Sequence, residues 1–233
     1  MNYDVYAGSA AYARPDARAQ FIRRTYEHLA FALLGFLVLE FALLNLPGVE
    51  RLVGLMTTGV NWLLVIGLFV VAGWIADRWA RSEASRGLQY VGLALYVLIE
   101  AVIFLPLLFI AVYLTDDPTV VPAAALITGL LFAGLTLVAF TTRADFSFLR
   151  GVLLIGGLVA LGLIIASVIF GFTLGVIFAV AMVGLAAAAI LYSTSNIIHY
   201  YRTDQYVAAS LSLFAAVALM FYYVLWILLS LRR

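Results

Sequence analysis

From Val152 to Leu191 the chain runs 40 residues without a charged side chain. As one helix, that stretch would be roughly 60 Å long, about twice the hydrocarbon core of a bilayer. It must therefore cross a membrane twice, and Gly171 is the residue best suited to the turn. The rest of the chain agrees. Its 233 residues are 66% hydrophobic and 11% charged, whereas a soluble domain is nearer half apolar and a quarter charged. Too few charges remain to cover a water-exposed surface. Disorder needs the opposite composition, low hydrophobicity with high net charge. The expected fold class is an all-α integral membrane protein.

Seven apolar segments of spanning length are legible: Thr25–Leu46, Val60–Trp79, Gly87–Leu114, Val121–Thr142, Phe148–Phe170, Thr173–Tyr200 and Tyr206–Leu231. Leu46-Pro47-Gly48 stops the first, and Asp116-Asp117-Pro118 follows the third. Residues 1–20 read as a polar cytoplasmic tail and 21–233 as a seven-helix transmembrane domain. The tail has no apolar core of the kind a cleavable signal carries. Ten of the thirteen arginines fall before the first span or in alternate loops on the same side, and Arg51, Arg232 and Arg233 fall on the other. Arginine gathers on the cytoplasmic side, so the N-terminus is expected inside and the C-terminus outside. The terminal arginine pair runs against this bias and suits a six-span alternative in which the last segment re-enters and returns. Small residues within spans (Gly129 and Ala133, Gly151, Gly156, Gly157, Gly162, Gly184 and Ala188) suggest where helices approach closely. Tyr26, Trp62, Trp79, Tyr90, Tyr113, Tyr200, Tyr201 and Tyr206 read as an aromatic belt at span ends.

With no cysteine, disulfides, thiolate metal sites and cysteine nucleophiles are excluded. A net charge of +1 gives no field to attract nucleic acid. No phosphate-binding glycine loop, His-Glu-x-x-His or Gly-x-Ser-x-Gly is present, so the chain is read as a non-enzyme without a cofactor. The chemistry-bearing residues are the intramembrane polar ones. An acid in a span is costly and marks a functional candidate. Glu100 lies near the middle of the third span, and Glu40 lies in the outer half of the first. Neither has a cation nearby in sequence, so each must be protonated, water-lined, paired across helices or metal-bound. Gly92, Tyr96 and Glu100 share a helical face. Pro106 leaves the carbonyl of Val102 without its usual partner, and a carboxyl beside a free carbonyl can line a small polar cavity. Ser193, Asn196 and Tyr200 share a face near the end of the sixth span. His199 and His28 read as interfacial, and two histidines on separate helices do not make a metal site. Glu100, Tyr96, Ser193 and Asn196 are the candidate ion or proton site, and Glu40 is the second acid.

Two stretches resemble the Bax inhibitor-1 family and its bacterial YccA-like branch. One is Ala139-Phe140-Thr141-Thr142-Arg143-Ala144-Asp145-Phe146-Ser147-Phe148-Leu149. The other is Ala189 to His199, followed by Tyr206 to Leu213. Phe21 to Tyr26 resembles the family's approach to its first span, and the layout fits over about residues 20–230. The resemblance implies a seven-helix bundle of a bacterial plasma membrane with its last helix near the centre. It implies either restraint of a membrane protease of the FtsH type or a pH-influenced leak of Ca²⁺ or H⁺. In the leak-forming members two acids on the sixth and seventh spans sense pH. Here Ser193 and Phe214 stand in their places, Val217 stands where an Asn often follows, and Leu105-Pro106 stands for a Gly-Pro. Without that pair the usual latch cannot titrate. The first expectation is therefore a stress-related membrane modulator acting on a protease, with residues 1–20 as its handle. The alternative is a cation leak that uses Glu100.

Overall fold

The computed structural model describes residues 9–82 and 85–232. Its elements are α1 (Pro15–Leu44), α2 (Val49–Thr57), α3 (Asn61–Ala80), α4 (Arg86–Tyr113), α5 (Val120–Thr142), α6 (Leu149–Phe170), α7 (Gly175–His199) and α8 (Tyr206–Leu231). Seven of them are long and apolar enough to cross a membrane. With no water in the bilayer core, a helix satisfies its backbone groups internally, and these seven spans are all helical. The long apolar run does break at Gly171, which caps α6 at φ 71°, a left-handed conformation that costs glycine little.

Two boundaries differ from expectation. α1 begins at Pro15, about ten residues before the apolar stretch. Proline at the first helical position gives up only an N–H that has no helical partner there, and Asp16 favours the positive end of the helix dipole. Residues 1–8 of the expected tail lie outside the described residues. Of the remainder, Ser9 and Ala10 are buried, with the Ala10 N–H donating to the Tyr201 carbonyl at 2.8 Å. The second difference is α2, which the sequence reading took as loop because nine residues cannot span. It is amphipathic: Val49, Val53 and Met56, at i, i+4 and i+7, form an apolar cluster with Leu105 and Phe109 of α4.

α8 is the central column. It touches α1, α3, α4, α5 and α7, and 56% of its apolar window is buried, against 6% for the peripheral α6. It runs as one helix to Leu231, which excludes the re-entrant alternative. Arg232, just past its end, pairs with Asp117 and donates to Thr119 Oγ1 at 3.2 Å. The end of α8 and the α4–α5 turn therefore share one end of the bundle, as seven crossings require.

The tightest approach at a glycine is not at one of the expected small residues. A Cβ built on Gly92 of α4 would sit 2.5 Å from the Ala80 nitrogen and 2.6 Å from the Ala76 oxygen, both backbone atoms of α3. Gly129, Gly151, Gly157, Gly162 and Gly184 would meet nothing within 4 Å, and Gly156 meets only the side chain of Leu185. The aromatic belt is likewise thinner than expected. Tyr201 and Tyr206 are buried in the core. Tyr26 packs against Phe132 and Phe140 of α5, its hydroxyl turned toward Thr136 and Thr194.

The loop between α5 and α6 is docked on the end of α7. Ser195 Oγ accepts the Phe146 N–H at 3.0 Å. The Tyr200 hydroxyl donates to Asp145 Oδ2 at 2.5 Å, and the Ser147 N–H donates to Asp145 Oδ1 at 2.8 Å. The Tyr200 hydrogen bond, helped by that of Ser147, holds the Asp145 carboxyl below its ordinary range. A lowered folded-state value means that the anchor contributes stability above the unfolded pKa of about 3.9 and loses it as pH falls through the folded value.

Three outcomes follow and are read by thermal unfolding in detergent. Gly92→Ala lowers stability by about 1–3 kcal/mol, because backbone rather than a flexible side chain must move. Ser195→Ala costs about 1 kcal/mol by leaving the half-buried Phe146 N–H without its acceptor. Asp145→Asn is less stable than the parent at neutral pH, and the two converge as pH falls below the carboxylate range.

Candidate functional site

Where α3 crosses α4 at Gly92, the next residues of each helix meet. Asp77 follows Ala76, Arg81 follows Ala80, and Tyr96 lies one turn beyond Gly92. Together with Phe69, Val70 and Gly73 of α3 and Leu211, Ser212 and Ala215 of α8, they line a cavity of about 360 Å³.

Arg81 lines the cavity beside Asp77. Its Nε donates to both Asp77 oxygens at 2.8 and 2.9 Å, one helical turn apart. Its remaining nitrogens reach across to the Tyr201 hydroxyl and Ser212 Oγ, each at 3.3 Å. Tyr201 and Ser212 are themselves 2.8 Å apart. One guanidinium thus ties α3 to α8 and to the α7–α8 turn. The planar fork of arginine suits this, because its donors point in several fixed directions.

From the cavity Tyr96 leads inward. Its hydroxyl lies near the Glu100 carboxyl, one turn deeper on the same face of α4, close enough to interact electrostatically. Asp77 lies close enough to act electrostatically on Tyr96, and Glu100 likewise on Tyr222 of α8. Glu100 itself is buried. A polar line therefore runs from the Arg81–Asp77 pair through Tyr96 to Glu100 and Tyr222, crossing three helices.

The structure brings together two of the four expected site residues, Glu100 and Tyr96. Ser193 is buried on α7 and Asn196 lies one turn farther along it, and neither lines the cavity. Phe214, at the second position where the resemblance places an acid, is buried against Phe36 and Tyr96, with ring centroids 6.1 and 6.2 Å away. Glu40 does not meet Glu100 as a hydrogen-bond partner: both of its oxygens are buried and bonded to nothing. His28 is less bland than expected, since it reaches the Tyr90 hydroxyl at 3.1 Å and packs on Tyr206, joining α1, α4 and α8. His199 lies close to Ser195, with Nδ1 3.0 Å from its carbonyl oxygen.

Sequence reasoning missed Asp77, Arg81, Tyr201, Ser212 and Tyr222. The Asp77–Arg81 spacing of four was a usable signal, because residues at i and i+4 are neighbours on a helix. The sequence reading takes Arg81 as loop charge and passes over Asp77, which lies within the second span. Among the described residues no three His, Asp or Glu side chains converge as a metal site would require.

Residues 18–233 match the family described as "Inhibitor of apoptosis-promoting Bax1". The chain is also similar to the uncharacterized protein PA2604 of Pseudomonas aeruginosa, at 34% identity over 113 residues, 48% of this chain and 50% of that protein. The match thus spans about half the length of that relative. A family match covering nearly the whole chain, together with seven apolar helices around a central last helix, makes this chain a multi-pass membrane protein belonging to the Bax inhibitor-1 family.

Proposed function

We propose that this protein is a proton-leak pathway of the bacterial inner membrane, with Glu100 as its inner acid. The observation that carries this reading is the placement of Tyr96, which lines the cavity and lies beside the buried Glu100 carboxyl. A proton entering past Arg81 and Asp77 would meet the Tyr96 hydroxyl and then the Glu100 carboxyl. Both groups can accept one proton as they give up another. Ca²⁺ fits less well, since it takes six to eight oxygen ligands and Glu100 brings a single carboxylate with one phenol. The arginine distribution supports a cytoplasmic N-terminus, which puts the cavity toward the cytoplasm and the Asp116–Asp117 turn outside.

Restraint of an FtsH-type protease draws less support from the geometry. Its expected handle was the tail, and of residues 9–20 the first two are buried while the helix has begun by Pro15.

The test is flux into proteoliposomes that hold the purified protein, read with pH and Ca²⁺ dyes across about pH 6 to 8. The parent acidifies or alkalinises vesicles faster than empty controls, and Glu100→Gln returns the rate to the control. Tyr96→Phe slows flux about tenfold or more, because it removes the hydroxyl that would relay a proton from the cavity to Glu100. Calcium entry that persists without proton flux would replace the ion, and no flux at any pH would move the function to protein partners.

A further inference from the structure

The polar line ends near Glu100 and Tyr222, about midway through the bundle, so a proton arriving there needs a way out. Beyond lies an aromatic plug. Phe104, one turn past Glu100 on α4, is 1% exposed. It is enclosed by Phe36 of α1 (5.0 Å, edge-on) and by Phe221 and Tyr222 of α8 (5.7 Å stacked and 5.1 Å edge-on). Glu40 comes one turn after Phe36 on the same buried face of α1, which runs Phe21, Thr25, Leu29, Ala32, Phe36 and Glu40. It therefore sits on the far side of the plug from Glu100.

Glu40 is 4% exposed, and neither carboxyl oxygen has a hydrogen-bond partner. An unpaired carboxylate at such a place is among the costliest groups a protein can hold. The titratable side chains that α4 and α8 carry at or beyond the level of Glu100 are Glu100 itself, Tyr113, Tyr222 and Tyr223, and α2, packed on Leu43 and Leu44 of α1, adds the exposed Glu50 and Arg51. Arg51 is the one cation among them and makes no ion pair with Glu40, and the Tyr113 hydroxyl is engaged with the Leu44 carbonyl at 3.1 Å. Among the described residues Glu40 thus has no cation within ion-pair distance. For packing alone a leucine of similar volume would serve α1 better.

We infer that Glu40 is the outer acid of the same pathway. It receives the proton that Glu100 releases when the Phe36–Phe104–Phe221 plug admits water, and passes it to the outer surface. The transfer moves one proton and leaves each carboxyl as it began once the next proton arrives, so no other reactant is needed. This inference rests on the proton-pathway reading above, and the two fail separately.

The experiment compares Glu40→Gln, Glu100→Gln and the parent in the same proteoliposomes. Gln keeps the size of Glu and removes the titratable proton. Glu40→Gln is expected to cut proton flux to about a tenth of the parent or less, with the detergent-solubilised protein still monodisperse. Parent-like flux in Glu40→Gln with none in Glu100→Gln overturns the role of Glu40 and leaves Glu100 standing. Parent-like flux in both overturns both. If Glu40→Gln is not recovered folded, the unmutated protein is treated with dicyclohexylcarbodiimide, which modifies intramembrane acids, and its peptides are mapped. Modification at Glu40 that falls as pH rises and tracks the loss of flux is the expected result. A Glu40 peptide unmodified at every pH overturns the inference.

Discussion

The site depends on one backbone contact. Gly92 lets α4 lie against Ala76 and Ala80 of α3 more closely than any side chain would permit. Between helices in lipid there is no hydrophobic drive to hold such a crossing, so close packing and hydrogen bonds must supply it. The consequence is positional. Asp77 and Arg81 are the neighbours of those two alanines, and they are carried to within reach of Tyr96. Arg81 then fastens the opposite wall by reaching Tyr201 and Ser212. Widening the Gly92 crossing would draw Asp77 and Arg81 away from Tyr96.

The two intramembrane acids are dealt with in opposite ways. Glu100 has a phenol one turn away and a second phenol across the interface. Glu40 has neither. Buried polar groups are bonded in the great majority of cases, so an exception calls for an explanation. The contrast is a reason to regard Glu40 as a group whose use lies in a state other than the resting one.

Much of the architecture was legible because a bilayer imposes few choices. Segment length and apolarity marked all seven spans, and the turn at Gly171 followed from the thickness of the hydrocarbon core. What escaped was whatever depends on which face a helix turns to its neighbours. α2 was too short to register as a span, although its Val49, Val53 and Met56 pattern was present. The packing glycine could not be picked out, because spacing within a helix does not say which side is covered. Tyr26, Tyr201 and Tyr206 looked interfacial from their positions near span ends, yet the bundle buries them. In the site, Glu100 and Tyr96 could be joined because they share one helix face. Ser193 and Asn196 were placed with them although they sit on a different helix, and helix-to-helix register is not written in local sequence.

The acid pair expected from the resemblance is absent, and its replacement is informative. Phe214 is an aromatic residue where the resemblance places a carboxyl, and its ring edge lies on Tyr96. Tyr96 in turn lies beside Glu100. The acid of this region therefore stands on α4, next to the central helix, while an aromatic side chain occupies the α8 position. Such an arrangement places one carboxyl there without the mutual repulsion of two. It favours a group that handles a single proton over a pair that clamps a divalent cation, because a cage for the latter needs several oxygens fixed about one point. The arrangement of Phe214, Tyr96 and Glu100 thus bears more on which ion is handled than on whether any ion is.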